Sequence, residues 1–213
     1  MFDMIVRGGN VLDGSGKDAV SLDIGIRDGK IAALSRLIDA EAAEVIEADG
    51  KTVTPGFLDI HRHADLAIFR PKFGELELRQ GLTTIVNGNC GMSAAPFGPV
   101  HRDAILDYLS PVVGLNAAVP NGSVSDYLNA VRSAKPPLHV GMLAGSGVIR
   151  ADVAGFASGK LSAEQVRAVH KRIETALSDG RTRFSCSRKI RSVFSESLSQ
   201  SAYDFNPSFA IRQ

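Results

Sequence analysis

Residues 55–65 read Pro55-Gly-Phe-Leu-Asp-Ile-His-Arg-His-Ala-Asp65, a short apolar run that ends in two histidines one residue apart. Side chains of a β-strand alternate between its two faces, so the imidazoles of His61 and His63 would point to the same side. At the end of a strand, two such nitrogens can converge on one metal ion. The spacing therefore predicts a metal site. The alternative is that both histidines only make ordinary hydrogen bonds at a strand end.

Two acids flank this pair. Asp59 precedes His61 by two positions and can orient a ligating imidazole from behind. It can equally be a residue of the turn that ends the strand. Asp65 follows His63 by two positions, where it can contact a substrate or a ligand histidine. The sequence leaves these readings open.

A cysteine follows the next buried strand. Residues 82–87 (Leu-Thr-Thr-Ile-Val-Asn) form an apolar strand pattern, and the loop Gly88-Asn-Cys-Gly91 comes directly after it. A thiolate at the carboxyl end of a parallel strand suits zinc, which accepts both sulfur and nitrogen ligands. An isolated cysteine is more often an inert small apolar residue. Position alone therefore makes Cys90 a candidate ligand and no more.

The remaining candidates are weaker. Ser146, in Gly145-Ser-Gly147, can present its hydroxyl or nearby backbone amides to a substrate, although the pattern favours a plain loop. His139 alternates with apolar residues on a predicted strand, which indicates a core position or one behind the site. His101 and His170 fall on predicted helices and are expected at the surface.

The periodicity of the chain predicts an α/β fold. Residues 1–54 alternate apolar and polar side chains in short segments, with a hairpin centred on Asp28-Gly29. From Pro55 onward, buried strands alternate with helices, which is typical of βα units and a parallel sheet. The predicted elements are strands 4–9, 10–16 (with its turn), 57–60, 82–87 and 138–144, and helices 72–80, 100–110, 123–134 and 162–178.

Composition narrows the class of protein. The 213 residues are 44% hydrophobic and 22% charged, with a net charge of +1. Such a balance gives no bulk attraction to nucleic acid or to an anionic membrane. No apolar run is long enough for a transmembrane helix, and the first residues lack the pattern of a signal peptide. With only Cys90 and Cys186, the chain has no disulfide framework, and we expect a cytoplasmic protein.

The composition changes after Gly180. Residues 181–213 contain eight serines, six lysines or arginines and only two acids, with no clear period. The next buried strand is expected here, and the pattern does not show one. This tail is therefore interpreted as atypical, either disordered or the product of a frameshift.

Three segments together resemble a known family. They are residues 8–16 (Gly-Gly-Asn-Val-Leu-Asp-Gly-Ser-Gly), residues 55–65 and residues 81–96, which include Asn87-Gly-Asn-Cys-Gly91. They resemble the metal-dependent amidohydrolase superfamily, in particular its D-aminoacylase (N-acyl-D-amino-acid deacylase) branch. The third segment distinguishes this branch from dihydroorotase-like and hydantoinase-like relatives. The resemblance runs from about residue 2 to residue 180.

The resemblance implies a small β-sandwich beside a TIM (β/α)₈ barrel, with the site at the carboxyl ends of the barrel strands. Residues 1–54 would form part of the sandwich, and residues 55–180 the first βα units of a partial barrel. His61, His63 and Cys90 would hold one or two Zn²⁺ ions. The implied reaction is hydrolysis of a small-molecule N-acyl-D-amino acid to a D-amino acid and a carboxylate by a metal-activated water.

The chain departs from the family pattern in three places. Arg62 replaces the small residue usual between the two histidines, and Ser146 stands where many relatives have histidine. Two further ligand histidines and a late aspartate, the general acid/base, are expected downstream of Gly180, and no residue here can take those roles. We therefore assign no catalytic residue and interpret the chain as a truncated, inactive amidohydrolase.

Two alternatives remain. The chain can be a non-catalytic zinc-binding fragment that pairs with a complementary chain or forms an oligomer, because about three βα units cannot close an eight-stranded barrel. It can also belong to a different amidohydrolase chemistry, cyclic-amide (dihydroorotase-like or hydantoinase-like) or dipeptide hydrolysis.

Overall fold

The computed structural model describes residues 1–114 and 122–179 in full, and the backbone of residues 183–185. The chain divides into two compact units, of which the first is Met1–Gly56 and the second begins at Phe57. Most of the predicted tail, residues 186–213, lies outside the described residues, and so does Cys186.

The first unit is a β-sheet of five strands, in which β3, β2, β1 and β4 lie in that order and β5 also pairs with β1. Strand β1 pairs antiparallel with β2 and parallel with β4. The Asp28–Gly29 hairpin is confirmed, because both residues have positive φ and connect β2 to β3. The strands are β1 (Phe2–Val11), β2 (Val20–Arg27), β3 (Lys30–Ser35), β4 (Ala42–Glu47) and β5 (Thr52–Val53).

The second unit contains a sheet in which β6, β7, β8 and β9 lie in sequence order and every pair is parallel. Helices separate successive strands, so the predicted α/β class is confirmed. The strands are β6 (Phe57–Asp59), β7 (Leu82–Asn87), β8 (His139–Gly145) and β9 (Arg183–Ser185). The helices are α1 (Glu75–Arg79), α2 (Arg102–Val113), α3 (Val124–Ala134), α4 (Ser146–Ala154) and α5 (Ala163–Ser178).

The apolar core of the second unit lies among its sheet and helices. Its fully buried side chains include Ile85 on β7, Leu109 on α2, Tyr127 on α3 and Ile149 on α4. Burial of such side chains is the main stabilising contribution to a unit of this kind. Capping boxes at Ser123 and at Ser162 begin α3 and α5, and the predicted ranges of these two helices, 123–134 and 162–178, are confirmed to within one residue.

Several predicted boundaries are wrong. Residues 4–9 and 10–16 are not two strands, because β1 runs through to Val11 and absorbs the break as an irregular register between Val6 and Gly9. The helix expected over residues 72–80 is only α1, because Lys72 and Gly74 have positive φ and cannot be helical. The helix predicted over residues 100–110 runs instead from Arg102 to Val113.

Three further expectations fail at strand ends. The sequence Gly145-Ser-Gly147 is not a loop, since β8 passes directly into α4 at Ser146. His139 is exposed at the start of β8 rather than placed in the core. A short strand, β9, does follow α5; main-chain pairing with β8 forms it without needing an alternating side-chain pattern.

Candidate metal centre

The predicted ligands come together at the carboxyl ends of β6 and β7. The ligand atoms of His61, His63 and Cys90 all lie within 4.8 Å of one another. The Nε2 atom of His61 is 3.2 Å from the Sγ atom of Cys90, and the two imidazole centroids are 5.5 Å apart. Two ligands of one tetrahedral zinc lie about 3.5 Å apart, so these side chains are already near the separation that one ion requires.

The spacing of the two histidines predicted that they lie on the strand. They lie instead past the end of β6, which ends at Asp59. The carboxylate of Asp59 accepts a hydrogen bond from the main-chain N–H of His61 (3.1 Å), a local turn that ends the strand. Asp59 thus acts on His61 through the backbone. The convergence of the two rings comes from the turn and not from strand alternation.

Cys90 is held in an unusual conformation. Its φ is +56°, and Gly88, two residues earlier, has φ +78°. A Cβ at Gly88 would lie 1.9 Å from the carbonyl oxygen of Leu143, so only glycine fits against β8 there. A non-glycine residue with positive φ persists where its surroundings impose it, and such positions cluster at functional sites. The loop presents the exposed thiol of Cys90 toward His61.

The donor set fits zinc. Two imidazoles and one thiolate are the nitrogen and sulfur ligands that zinc takes in proteins. The Nδ1 atom of His63 is buried without a hydrogen-bond partner, which leaves a nitrogen that an ion can satisfy. Burial lowers the pKa of His63, and the nearby His61 lowers it further, so the ring is held in the neutral form that ligates metals.

Asp65 is fully buried, so it presents no surface to a substrate. Its Oδ1 atom accepts a hydrogen bond from the N–H of Ala94 (3.2 Å), while its Oδ2 atom has no partner. Burial raises the pKa of Asp65 to about 6, against the opposing effect of its backbone hydrogen bonds. The hydroxyl of Tyr127 donates to the carbonyl oxygen of Asp65 (2.8 Å).

Ser146 is also buried, at the first turn of α4. Its hydroxyl has no hydrogen-bond partner, and it packs against Gly91, where an added Cβ would come within 3.1 Å of the Ser146 oxygen. Ser146 thus contacts the cysteine loop at Gly91 but is not part of the His–His–Cys cluster, which is the metal-ligand group found among the described residues.

Sequence reasoning missed the residues that support this site. Asn87 accepts from the N–H of Ala64 (3.0 Å), and Asn89 donates to the carbonyl oxygens of Val86 (2.8 Å) and Arg62 (3.3 Å). The two asparagines were visible in the Asn-Gly-Asn-Cys-Gly segment, where amides beside positive-φ glycines are suited to main-chain hydrogen bonds. Nothing in the sequence pattern pointed to Tyr127, which donates to the backbone of Asp65, or to Glu77, whose carboxylate contacts the guanidinium of Arg62.

Among the residues that the structure describes, no helix combines the length and hydrophobicity needed to span a bilayer.

Comparison with known proteins identifies relatives. A D-aminoacylase of Alcaligenes xylosoxydans xylosoxydans is 32% identical over 179 residues, which are 84% of this chain and 36% of the relative. An N-acyl-D-glutamate deacylase of the same organism is 33% identical over 186 residues, 86% of this chain and 36% of the relative. The chain thus spans about a third of the length of the curated relatives it matches. No protein-family model matches the chain.

Two solved structures that resemble this chain belong to the same two kinds of enzyme. A crystal structure of a D-aminoacylase, described as defining a novel subset of amidohydrolases, matches with a TM-score of 0.74 at 33% identity and covers 84% of this chain and 37% of its own. An N-acyl-D-glutamate deacylase from Bordetella bronchiseptica, complexed with zinc and a phosphonate inhibitor, matches with a TM-score of 0.71 at 31% identity, over 83% of this chain and 36% of its own. This chain is therefore a homologue of the D-aminoacylases and N-acyl-D-glutamate deacylases, whose solved structures have the amidohydrolase fold.

Proposed function

We propose that His61, His63 and Cys90 are zinc ligands in the metal centre of an N-acyl-D-amino-acid deacylase. The observation that carries the proposal is the convergence of two imidazoles and a thiol within 4.8 Å at the carboxyl ends of two parallel strands. Active sites of barrels of this class are built at that end of the strands. Homology to enzymes that act on N-acyl-D-amino acids supports the substrate class.

The reaction is hydrolysis of a linear amide to a D-amino acid and a carboxylate. When bound, zinc supplies a Lewis acid for the amide carbonyl and for a water nucleophile. The chain's own residues hold the site: Asp59 anchors the backbone of His61, and Gly88 allows the cysteine loop to lie against β8. The low pKa of His63 keeps its ring neutral and able to ligate.

We propose further that the chain alone binds zinc without hydrolysing the amide. Within the part of the chain that the structure describes, the ligand cluster contains no carboxylate, and Asp65 is sealed from solvent. A general acid/base must reach the proton that it transfers. In this proposal the two histidines and the cysteine of the cluster are all occupied as metal ligands, so none of them serves as the general acid/base.

The test combines zinc binding with an amide-hydrolysis assay. Zinc affinity is measured by competition with a chromogenic chelator for the wild type, for His61→Ala, His63→Ala and Cys90→Ser, and for the control His139→Ala. Because outer contacts alone change metal affinity by about 10- to 100-fold, loss of a ligand should weaken binding by about 100-fold or more. His139→Ala, an exposed histidine outside the cluster, should bind zinc as the wild type does.

The assay measures release of D-amino acids from N-acetyl-D-amino acids. We expect no release by the zinc-loaded wild type above the His63→Ala background. Zinc-dependent release that His63→Ala abolishes would overturn the proposal of binding without turnover, while equal zinc affinity in all five proteins would overturn the metal centre.

A further inference from the structure

Arg62, between the two histidines, forms ion pairs on both sides. One guanidinium nitrogen contacts the carboxylate of Glu77 on α1, and the other lies 3.5 Å from the carboxylate of Asp59. The Glu77 side chain is only 10% exposed, whereas that of Arg62 is 37% exposed. A carboxylate buried to that degree is costly without a charged partner, so the Glu77 contact is the more important of the two.

The backbone of Arg62 is hydrogen-bonded to β7 and to the loop that follows this strand. Its N–H donates to the carbonyl oxygen of Val86 (3.0 Å), and its carbonyl oxygen accepts from the side-chain amide of Asn89 (3.3 Å). Asn89 immediately precedes Cys90. A shift of the Arg62 backbone would therefore move the cysteine loop as well as both histidines.

Asp59 links the side chain of Arg62 to the backbone of His61. One of its carboxylate oxygens faces the Arg62 guanidinium, and the other accepts the main-chain N–H of His61 (3.1 Å). Strand β6, helix α1 and the loop after β7 thus meet at a single residue, and two of these elements lead directly to the ligands.

We infer that Arg62 is a positioning residue for the metal centre. Its ion pair with Glu77 holds the His61–His63 turn and the Cys90 loop at the separation that binds a metal ion. The inference rests on the proposed metal centre.

A simple charge effect makes the opposite prediction. A guanidinium beside a divalent cation repels it, so removing the positive charge would strengthen zinc binding if charge alone mattered. If Arg62 positions the ligands, removing it weakens zinc binding. The sign of the change therefore separates the two roles.

The experiment measures the zinc dissociation constant of the full chain for the wild type, Arg62→Gln, Glu77→Gln and the double variant. We expect each single substitution to weaken binding about tenfold, the lower range for outer contacts of a metal ligand. The double variant should weaken binding by the same factor and not by the product, because the two residues act as one unit. Unchanged or tighter binding by Arg62→Gln would overturn the inference.

A matched control is a second ion pair with a buried carboxylate, found among the described residues of this unit. Asp152, whose side chain is 3% exposed, lies 3.0 Å from Arg172. Asp152→Asn should lower the midpoint of thermal unfolding and leave zinc affinity within about twofold of the wild type. A loss of zinc affinity in this control equal to that in Glu77→Gln would show a general loss of stability and overturn the inference.

Spectroscopy separates position from stability. With Co²⁺ in place of zinc, the thiolate absorption band reports ligation by Cys90, and it should shift in Arg62→Gln but not in Asp152→Asn. A wild-type chain that binds no zinc would overturn the metal centre itself and this inference with it. Normal wild-type binding with undiminished binding by Arg62→Gln overturns the inference alone.

Discussion

The Nε2 atom of His61 lies 3.2 Å from the Sγ atom of Cys90, although 29 positions separate the two residues. The contact exists because β6 and β7 are parallel neighbours, with Asp59 opposite Ile85, so that their carboxyl ends reach the same edge of the sheet. The pairing of the two strands thus brings a candidate ligand nitrogen and a candidate ligand sulfur together, although they are far apart in sequence.

This contact predicts that zinc protects Cys90 from alkylation. A thiolate that is bound to a metal is a poor nucleophile toward iodoacetamide, whereas a free thiolate reacts readily. We expect saturating zinc to slow alkylation of Cys90 by at least about tenfold, measured by peptide mass mapping. Cys186 is the internal control, and its rate should not change. Equal rates at Cys90 with and without zinc would contradict the ligand assignment.

Gly88→Ala should destabilise the chain strongly. A Cβ there would lie 1.9 Å from the carbonyl oxygen of Leu143, and the residue has φ +78°. We expect a loss of roughly 4 kcal/mol or more in the free energy of unfolding, in the range of severe core defects. The control is Gly50→Ala, because Gly50 has a similar φ of +70° but its added Cβ would meet nothing within 4 Å, and the substitution should cost only about 1–2 kcal/mol. Urea unfolding of both variants measures the difference; similar losses would show that contact with β8 is unimportant.

Asp65 should make stability depend on pH. Because burial raises its pKa in the folded state to about 6, above the value in the unfolded chain, the folded state binds the extra proton between about pH 4 and pH 6. The free energy of unfolding should therefore fall as pH rises through that range. Asp65→Asn cannot ionise. By pH 7.5 it should therefore avoid the loss of about 3 kcal/mol in the free energy of unfolding that ionisation of the buried carboxyl causes in the wild type.

Urea unfolding in the presence of a chelator, at about pH 4.5 and pH 7.5, measures this effect on the metal-free protein. The difference in stability between Asp65→Asn and the wild type should grow as the pH rises. If that difference stays constant with pH, the carboxyl of Asp65 does not titrate as its burial indicates.

Tyr127→Phe should cost about 1–2 kcal/mol in the free energy of unfolding. The substitution removes the hydroxyl that donates to the carbonyl oxygen of Asp65 (2.8 Å) and leaves that oxygen without this bond in a buried position. Tyr108→Phe is the matched control, because Tyr108 is 47% exposed and should change stability by less than about 0.5 kcal/mol. Thermal and urea unfolding of both variants measure the two losses. If Tyr108→Phe lowered the free energy of unfolding as much as Tyr127→Phe, the stability could not be assigned to the buried hydrogen bond of Tyr127.

Local signals in the sequence were sufficient for several features. The hairpin at Asp28–Gly29 and the start of α5 at Ser162 depend on residues within a few positions of each other, and both were predicted correctly. The candidate ligands were identified for a similar reason. Two histidines one residue apart are a local pattern that favours a metal site, and the place of the cysteine in a glycine loop after a strand made it a candidate ligand.

Tertiary structure alone decided the rest. The ion pair between Arg62 and Glu77, the complete burial of Asp65 and the passage of β8 directly into α4 all depend on elements far apart in sequence. Whether a carboxylate is buried or exposed, and which cation it meets, follows from how helices pack on the sheet, and no short sequence pattern encodes that packing. The sequence by itself determined which side chains could bind a metal; the parallel pairing of β6 with β7 brought those side chains within reach of one ion.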